Sequence, residues 1–161
     1  MRPFSRSTLV LGALAVLSCS PRRAALSEAD RTAIADTLRE LTQSFARSAN
    51  ALNPDGALAV FSSDPAMTWA NDGLVLTLSH DSLAALYRQI YRGWHRMDFT
   101  WDSLRVAVLS PDAGVVTAAG HFAVTDTTDQ TTRRRVAGTY VFFRRASNWE
   151  LLHGHASHVA E

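Results

Sequence analysis

The apolar spacing of this chain changes once, near Asp98, and that change limits the folds open to it. Before it, apolar side chains recur every three or four residues; after it they alternate. Residues 99–109, 115–125, 133–145 and 149–159 read as four long strands, rich in Val, Thr, Phe and Tyr. Ser110-Pro111-Asp112 and Ala146-Ser147-Asn148 are tight connections, and residues 125–132 form a polar hairpin tip. No long helix separates these strands, so an antiparallel sheet is predicted.

Ahead of the change the spacing predicts three helices. Ser27 followed by Asp30 has the pattern of a capping box. Ile34, Leu38, Leu41, Phe45 and Leu52 then form one apolar stripe, and Asn53-Pro54-Asp55-Gly56 stops it. A short second helix is predicted over 57–61. Residues 67–70 and 74–78 flank Asn71-Asp72-Gly73, whose Asp-Gly pair signals a hairpin. Ser79 or Asp81 caps a third helix. It turns Leu83, Leu86, Tyr87, Ile90, Tyr91, Trp94 and Met97 inward, and Arg88, Arg92 and Arg96 outward. Three helices followed by a long, bent meander make an α+β fold. The 161 residues leave room for one such domain and a leader.

Arg2 and Arg6 precede an apolar stretch over 9–17, far shorter than the roughly 20 residues that a spanning helix needs. This is the shape of a secretory signal. It ends at Val16-Leu17-Ser18-Cys19, which resembles the lipobox of bacterial lipoproteins, where the cysteine is acylated and becomes the new N-terminus. Cleavage further on, or an uncleaved anchor, are the alternatives. The expected organisation is a signal peptide over 1–18, a tether over 19–26 and a folded domain over 27–161. The resemblance implies an exported protein held by acyl chains on Cys19 at the periplasmic face of a membrane. In a Gram-negative cell, Ser20 would suit the outer one. Cys19 is the only cysteine, so no internal disulfide forms. Loss of Arg2 and Arg6 with the leader changes the formal charge from 16 − 15 = +1 to 14 − 15 = −1. That balance argues against a general nucleic-acid binder.

The last two predicted strands carry a second resemblance. Thr139 stands on one of them. After the turn come Trp149, His153, His155 and Ser157, in the order Trp-x-aliphatic-x-His-x-His-x-Ser. This is similar to the closing hairpin of SnoaL-like (nuclear-transport-factor-2-like) domains, and the helix and hairpin order over 27–159 agrees. The resemblance implies a cone-shaped, cystatin-like roll. In it a strongly bent sheet wraps a long helix, the pocket lies inside the cone, and a homodimer often forms through the outer sheet face. It implies no particular reaction, because no catalytic residue is shared across the family.

Trp69, Tyr87, Tyr91, Trp94, His121 and Tyr140 are the candidates for lining that pocket, with a small, largely apolar ligand as partner. Trp101 adds to the aromatic content, and such aromatics also serve as ordinary core. His153, His155 and Ser157 fall on one strand face, with His158 on the opposite one. The pair can move protons, ligate a metal if His121 joins them, or simply hydrogen-bond within a packed face; the packed face is favoured, and no metal is assigned. Among the acids, Asp36, Asp72, Asp98 and Asp102 offer no buried setting of the kind a ketosteroid-isomerase-type base requires. Arg133-Arg134-Arg135 reads as a solvated strand end. A phosphate loop, a nucleophile elbow and paired cysteines are absent, so no cofactor is expected. Catalysis therefore stays open. The readings are a lipid-anchored binding module, an isomerase, cyclase or dehydratase using acid–base chemistry in the cone, or a ligand-free dimerisation module.

Overall fold

The computed structural model describes residues 25–76 and 79–161. The predicted leader, Cys19 and most of the tether lie outside the described residues. Helix α1 spans Glu28–Asn50, α2 spans Pro54–Leu58 and α3 spans His80–Arg92. Strands β1 (Thr68–Asn71) and β2 (Leu74–Leu76) form the short hairpin. The long strands are β3 (Trp94–Ser110), β4 (Ala113–Asp126), β5 (Thr131–Arg145) and β6 (Asn148–Ala160).

Helix starts follow the capping chemistry. The Ser27 hydroxyl accepts the Asp30 N–H, and Ser79 does the same for Ser82. Helix α2 begins at Pro54, earlier than the apolar spacing implied. Asn53 caps it and accepts from the Gly56 N–H, and proline suits the first helical position. Helix α3 ends at Gly93, so Trp94 and Met97 belong to β3 and not to the helix. The change of period thus falls four residues ahead of Asp98.

The four long strands form the expected antiparallel meander. The sheet as a whole is mixed, however: its order is β2-β1-β6-β5-β4-β3, and β1 pairs parallel with β6. The antiparallel expectation treated only consecutive strands. Strand β2, helix α3 and strands β3, β4 and β5 separate β1 from its partner, which is ample length for a parallel return. Register shifts interrupt β3 between Trp94 and Arg96, Trp101 and Ser103, and Val108 and Ser110. Such bulges bend a strand and increase its twist, and here they curve the sheet around α1.

Alternation sorts the meander into two faces. Val116, Ala118, Tyr140, Phe142, Leu151 and Ala156 are buried on the concave side. Leu38 of α1, fully buried, packs there. It fits because Gly114 carries no side chain: a Cβ at that position would sit 2.4 Å from Leu38 Cδ1. Burying one such leucine stabilises the fold by about 1.5–3 kcal/mol. Polar straps fix α1 on β3. Asn50 Nδ2–H donates to the Phe99 carbonyl at 3.0 Å while its Oδ1 accepts the Phe99 N–H at 2.6 Å. Trp101 Nε1–H donates to the Thr42 carbonyl at 3.0 Å. These contacts seat the helix against one part of the sheet, and a hollow lies beside it, bounded by α3 and the hairpin.

Candidate functional site

That hollow is a cavity of about 280 Å³. Helix α3 supplies Tyr87 and Tyr91, β1 supplies Trp69, β3 supplies Trp94 and Trp101, β5 supplies Tyr140 and β6 supplies His158. A smaller apolar recess of about 30 Å³ continues inward past Phe45, Trp69, Trp101 and Tyr140. Five sequence-predicted pocket residues, Trp69, Tyr87, Tyr91, Trp94 and Tyr140, thus share one space. Their rings touch in series: Trp69 stacks on Tyr140 (centroids 6.1 Å, 13°), and Tyr91 contacts both Tyr87 (5.9 Å) and Trp94 (5.3 Å). Such contacts hold the wall rigid, each adding about 0.5–1.5 kcal/mol beyond simple burial.

Burial raises the phenol of Tyr91 to about 12. Tyr87 and Tyr140 move up further, chiefly through burial, with the neighbouring phenols adding to the effect at Tyr87. All three are therefore neutral hydrogen-bond donors near neutral pH. No buried side-chain N or O atom among the described residues lacks a partner. The cavity lining holds no Arg, Asp or Glu; its polar members are the phenols, the tryptophan N–H groups, Asn71 and His158.

His121 does not join this space. It stands on the outer sheet face with its Nδ1 3.1 Å from Asp102 Oδ1, because residues of β4 alternate and Phe122 takes the inward position. His153, His155 and Ser157 are exposed on that same outer face, as their shared parity requires, while Gly154, Ala156 and His158 point inward. In register, His121 aligns with Val159 across β5. It is therefore about 13 Å along the strand direction from His155, besides two strand spacings. Among the described residues no group of three or more His, Cys, Asp or Glu is arranged to hold a metal ion. Asp36 pairs with Arg39 on the helix surface, Asp98 is exposed, and Arg133, Arg134 and Arg135 are exposed along β5. No described helix is long and apolar enough to cross a membrane.

Sequence reasoning missed the site's most polar pair. His158 Nδ1 lies 2.9 Å from Asp72 Oδ2, and the His158 backbone N–H donates to Asp72 Oδ1 at 2.7 Å. Desolvation pushes the Asp72 carboxyl up. The hydrogen bonds from the His158 ring and backbone, with the nearby charges of His158 and Arg134, outweigh it and hold the group below its ordinary value. The available signal was strand parity, which put His158 on the face opposite His153 and His155. The parallel pairing of β1 with β6, which brings Asp72 to it, left no mark in local sequence.

A family model described as a SnoaL-like domain matches residues 38–161. Comparison with curated proteins finds no match. Solved structures share the fold at low identity. A nuclear transport factor 2 (NTF2-like) superfamily protein from Salmonella enterica serovar Typhimurium superposes with TM-score 0.72 at 15% identity, over 81% of this chain and 94% of that one. The hexachlorocyclohexane dehydrochlorinase type 3 of Novosphingobium barchaimii gives 0.70 at 15% identity, over 82% and 90%. A protein with a cystatin-like fold from Caulobacter vibrioides gives 0.64 at 16% identity, over 77% and 88%. With a single family model spanning most of its length, and a conical sheet that agrees with these folds, the chain belongs to the SnoaL-like domain family.

Proposed function

We propose that this domain binds a small, neutral, largely apolar molecule inside its cone, and that the acylated Cys19 holds it at a membrane surface. The observation that carries the binding reading is the cavity itself. It is open, walled by rigid aromatic rings, and furnished with phenol donors but no arginine or carboxylate in its lining. An anionic ligand would find no counter-charge there, and a strongly polar one would forfeit its water without replacement. About 280 Å³ suits a molecule of one or two rings. The anchor rests on the lipobox resemblance of residues 16–19.

Thermal unfolding against a panel of neutral one- and two-ring compounds tests this. The melting temperature should rise with ligand concentration, as binding to the folded state alone requires. Ala156→Leu, which extends a buried cavity-lining position into the space, should abolish the rise. A panel with no response, or an equal response in the variant, would remove the reading.

A second reading, acid–base catalysis in the same cone, is favoured by the His158–Asp72 pair. The structural neighbour from Novosphingobium, a dehydrochlorinase, shows that this fold can house an elimination enzyme. We also propose that two copies pair through the outer sheet face. Leu109, Phe143 and Val159 are 64%, 44% and 61% exposed on the sheet face that also carries His153, His155 and Ser157.

A further inference from the structure

The cavity's polar end contains more than a passive binding site for an apolar molecule needs. Asp72 sits in the β1–β2 turn with φ +47°, and its own N–H donates to the Ala156 carbonyl at 3.2 Å. Both of its carboxylate oxygens then engage His158, one through the ring and one through the backbone. The turn is thus tied to β6 by three hydrogen bonds, and the imidazole orientation is fixed from outside the cavity. On its other side the ring meets Phe122 edge-on at 5.6 Å. A carboxylate accepts only, so Nδ1 carries the shared proton and Nε2 is the lone-pair nitrogen of the neutral ring. No hydrogen bond to Nε2 is present among the described residues.

We propose that His158 is a proton-transfer base, oriented by Asp72 as its positioning residue, acting on a neutral carbon acid. That substrate class is an apolar molecule bearing a carbonyl group with a hydrogen on the adjacent carbon. The proposal rests on the binding reading above. The surroundings select this chemistry. The phenols of Tyr87, Tyr91 and Tyr140 are kept protonated, so they donate and do not compete as bases. His158 is the one imidazole in the lining, and the lone-pair nitrogen of a neutral imidazole is a proton acceptor.

The step balances without a co-reactant. Nε2 takes the proton from the carbon beside the carbonyl. The C–H electron pair becomes a carbon–carbon double bond, and the carbonyl pair moves onto oxygen. The enolate oxygen accepts a hydrogen bond from a tyrosine hydroxyl, and the imidazolium is compensated by the Asp72 carboxylate. Return of the proton to the same carbon gives exchange, and its return elsewhere in the delocalised system gives an isomer.

Deuterium exchange tests this without the natural substrate. The full chain is incubated with 2-tetralone in D₂O, and incorporation beside the carbonyl is followed by NMR, with thermal unfolding on the same ketone in parallel. Wild-type protein should exchange well above buffer. His158→Gln should lose about 10²–10⁴-fold, the usual range for a general base, while its melting temperature still rises with the ketone. Added imidazole should restore part of the rate in His158→Ala. Asp72→Asn should lower the maximal rate at least tenfold and shift the half-saturating concentration less than twofold, which a merely structural role would not produce. A stabilising ketone that does not exchange, or exchange unchanged in His158→Gln, would overturn the dyad and leave binding standing. A ketone that gives neither stabilisation nor exchange would count against both readings.

Discussion

Gly154 and Trp69 offer the most direct test of how the cavity wall is held. They are paired neighbours on β6 and β1, and the indole lies flat over the glycine. A Cβ at position 154 would lie 2.1 Å from Trp69 Cζ3 and 2.3 Å from Cε3. Carbon atoms prefer about 3.5–4.0 Å, so the ring would have to withdraw by roughly 1.5 Å. It has little freedom to do so, being stacked on Tyr140 and set against Phe61 at 5.3 Å. Gly154→Ala is therefore overpacking, with an expected cost of about 1–3 kcal/mol. The backbone does not forbid alanine, since Gly73 is the one described glycine with positive φ. With Trp69→Ala in place the new methyl meets open space. The same change should then be neutral or stabilise by about 0.4–1 kcal/mol, through the reduced entropy of the unfolded chain. Urea unfolding of the four proteins should give a coupling energy of about 1–4 kcal/mol. An equal cost of Gly154→Ala in both backgrounds would refute the claim that the indole is the obstacle. Gly154→Ala should also weaken ligand stabilisation, because the displaced ring is a wall of the cavity.

Asn50→Ala should cost about 1–3 kcal/mol in urea unfolding, because it strips two hydrogen bonds from the Phe99 backbone where α1 meets β3. Leu38→Ala should cost about 2–5 kcal/mol in the same assay, from a fully buried position with no neighbour free to fill it. Asp72, held below its ordinary value of 3.8 in the fold, contributes stability that is present above that value and lost as pH falls toward the folded one. Asp72→Asn should therefore be less stable than wild type at neutral pH, with the gap narrowing on acidification below 3.8; a gap that widened in acid would contradict this. Cys19→Ser should move the protein from the membrane to the soluble fraction on centrifugation, if acyl chains are the main anchor.

The sequence revealed parity well and pairing poorly, and the site shows why. Alternation along β4, β5 and β6 is a local property. It correctly set Tyr140 and Phe142 on one face, His153, His155 and Ser157 on one face, and His158 on the other. The same logic shows why His121 is a mistaken pocket residue: the parity that buries Phe122 turns His121 outward. Helix ends were legible where a cap or a breaker stood, as at Ser27 and Ser79, and less so at Trp94, an aromatic that suits either period. The parallel register of β1 on β6 is different in kind. Thr68 meets His153 and Asn71 meets Ala156, each pair 85 positions apart in sequence, and no turn residue or spacing encodes that meeting. Yet it alone turns an ordinary Asp-Gly hairpin into the partner of an inward histidine. Asp72 reads as turn chemistry because it is turn chemistry; its positive φ is what the hairpin demands. Its second role comes from tertiary placement: the β1–β6 ladder ends with Asn71 opposite Ala156, two residues short of His158, so both carboxylate oxygens of the next residue, Asp72, reach His158. A substitution that moved this register by one residue would keep every local signal intact. It would also set the carboxylate beside an outward side chain and leave the cavity without its polar end.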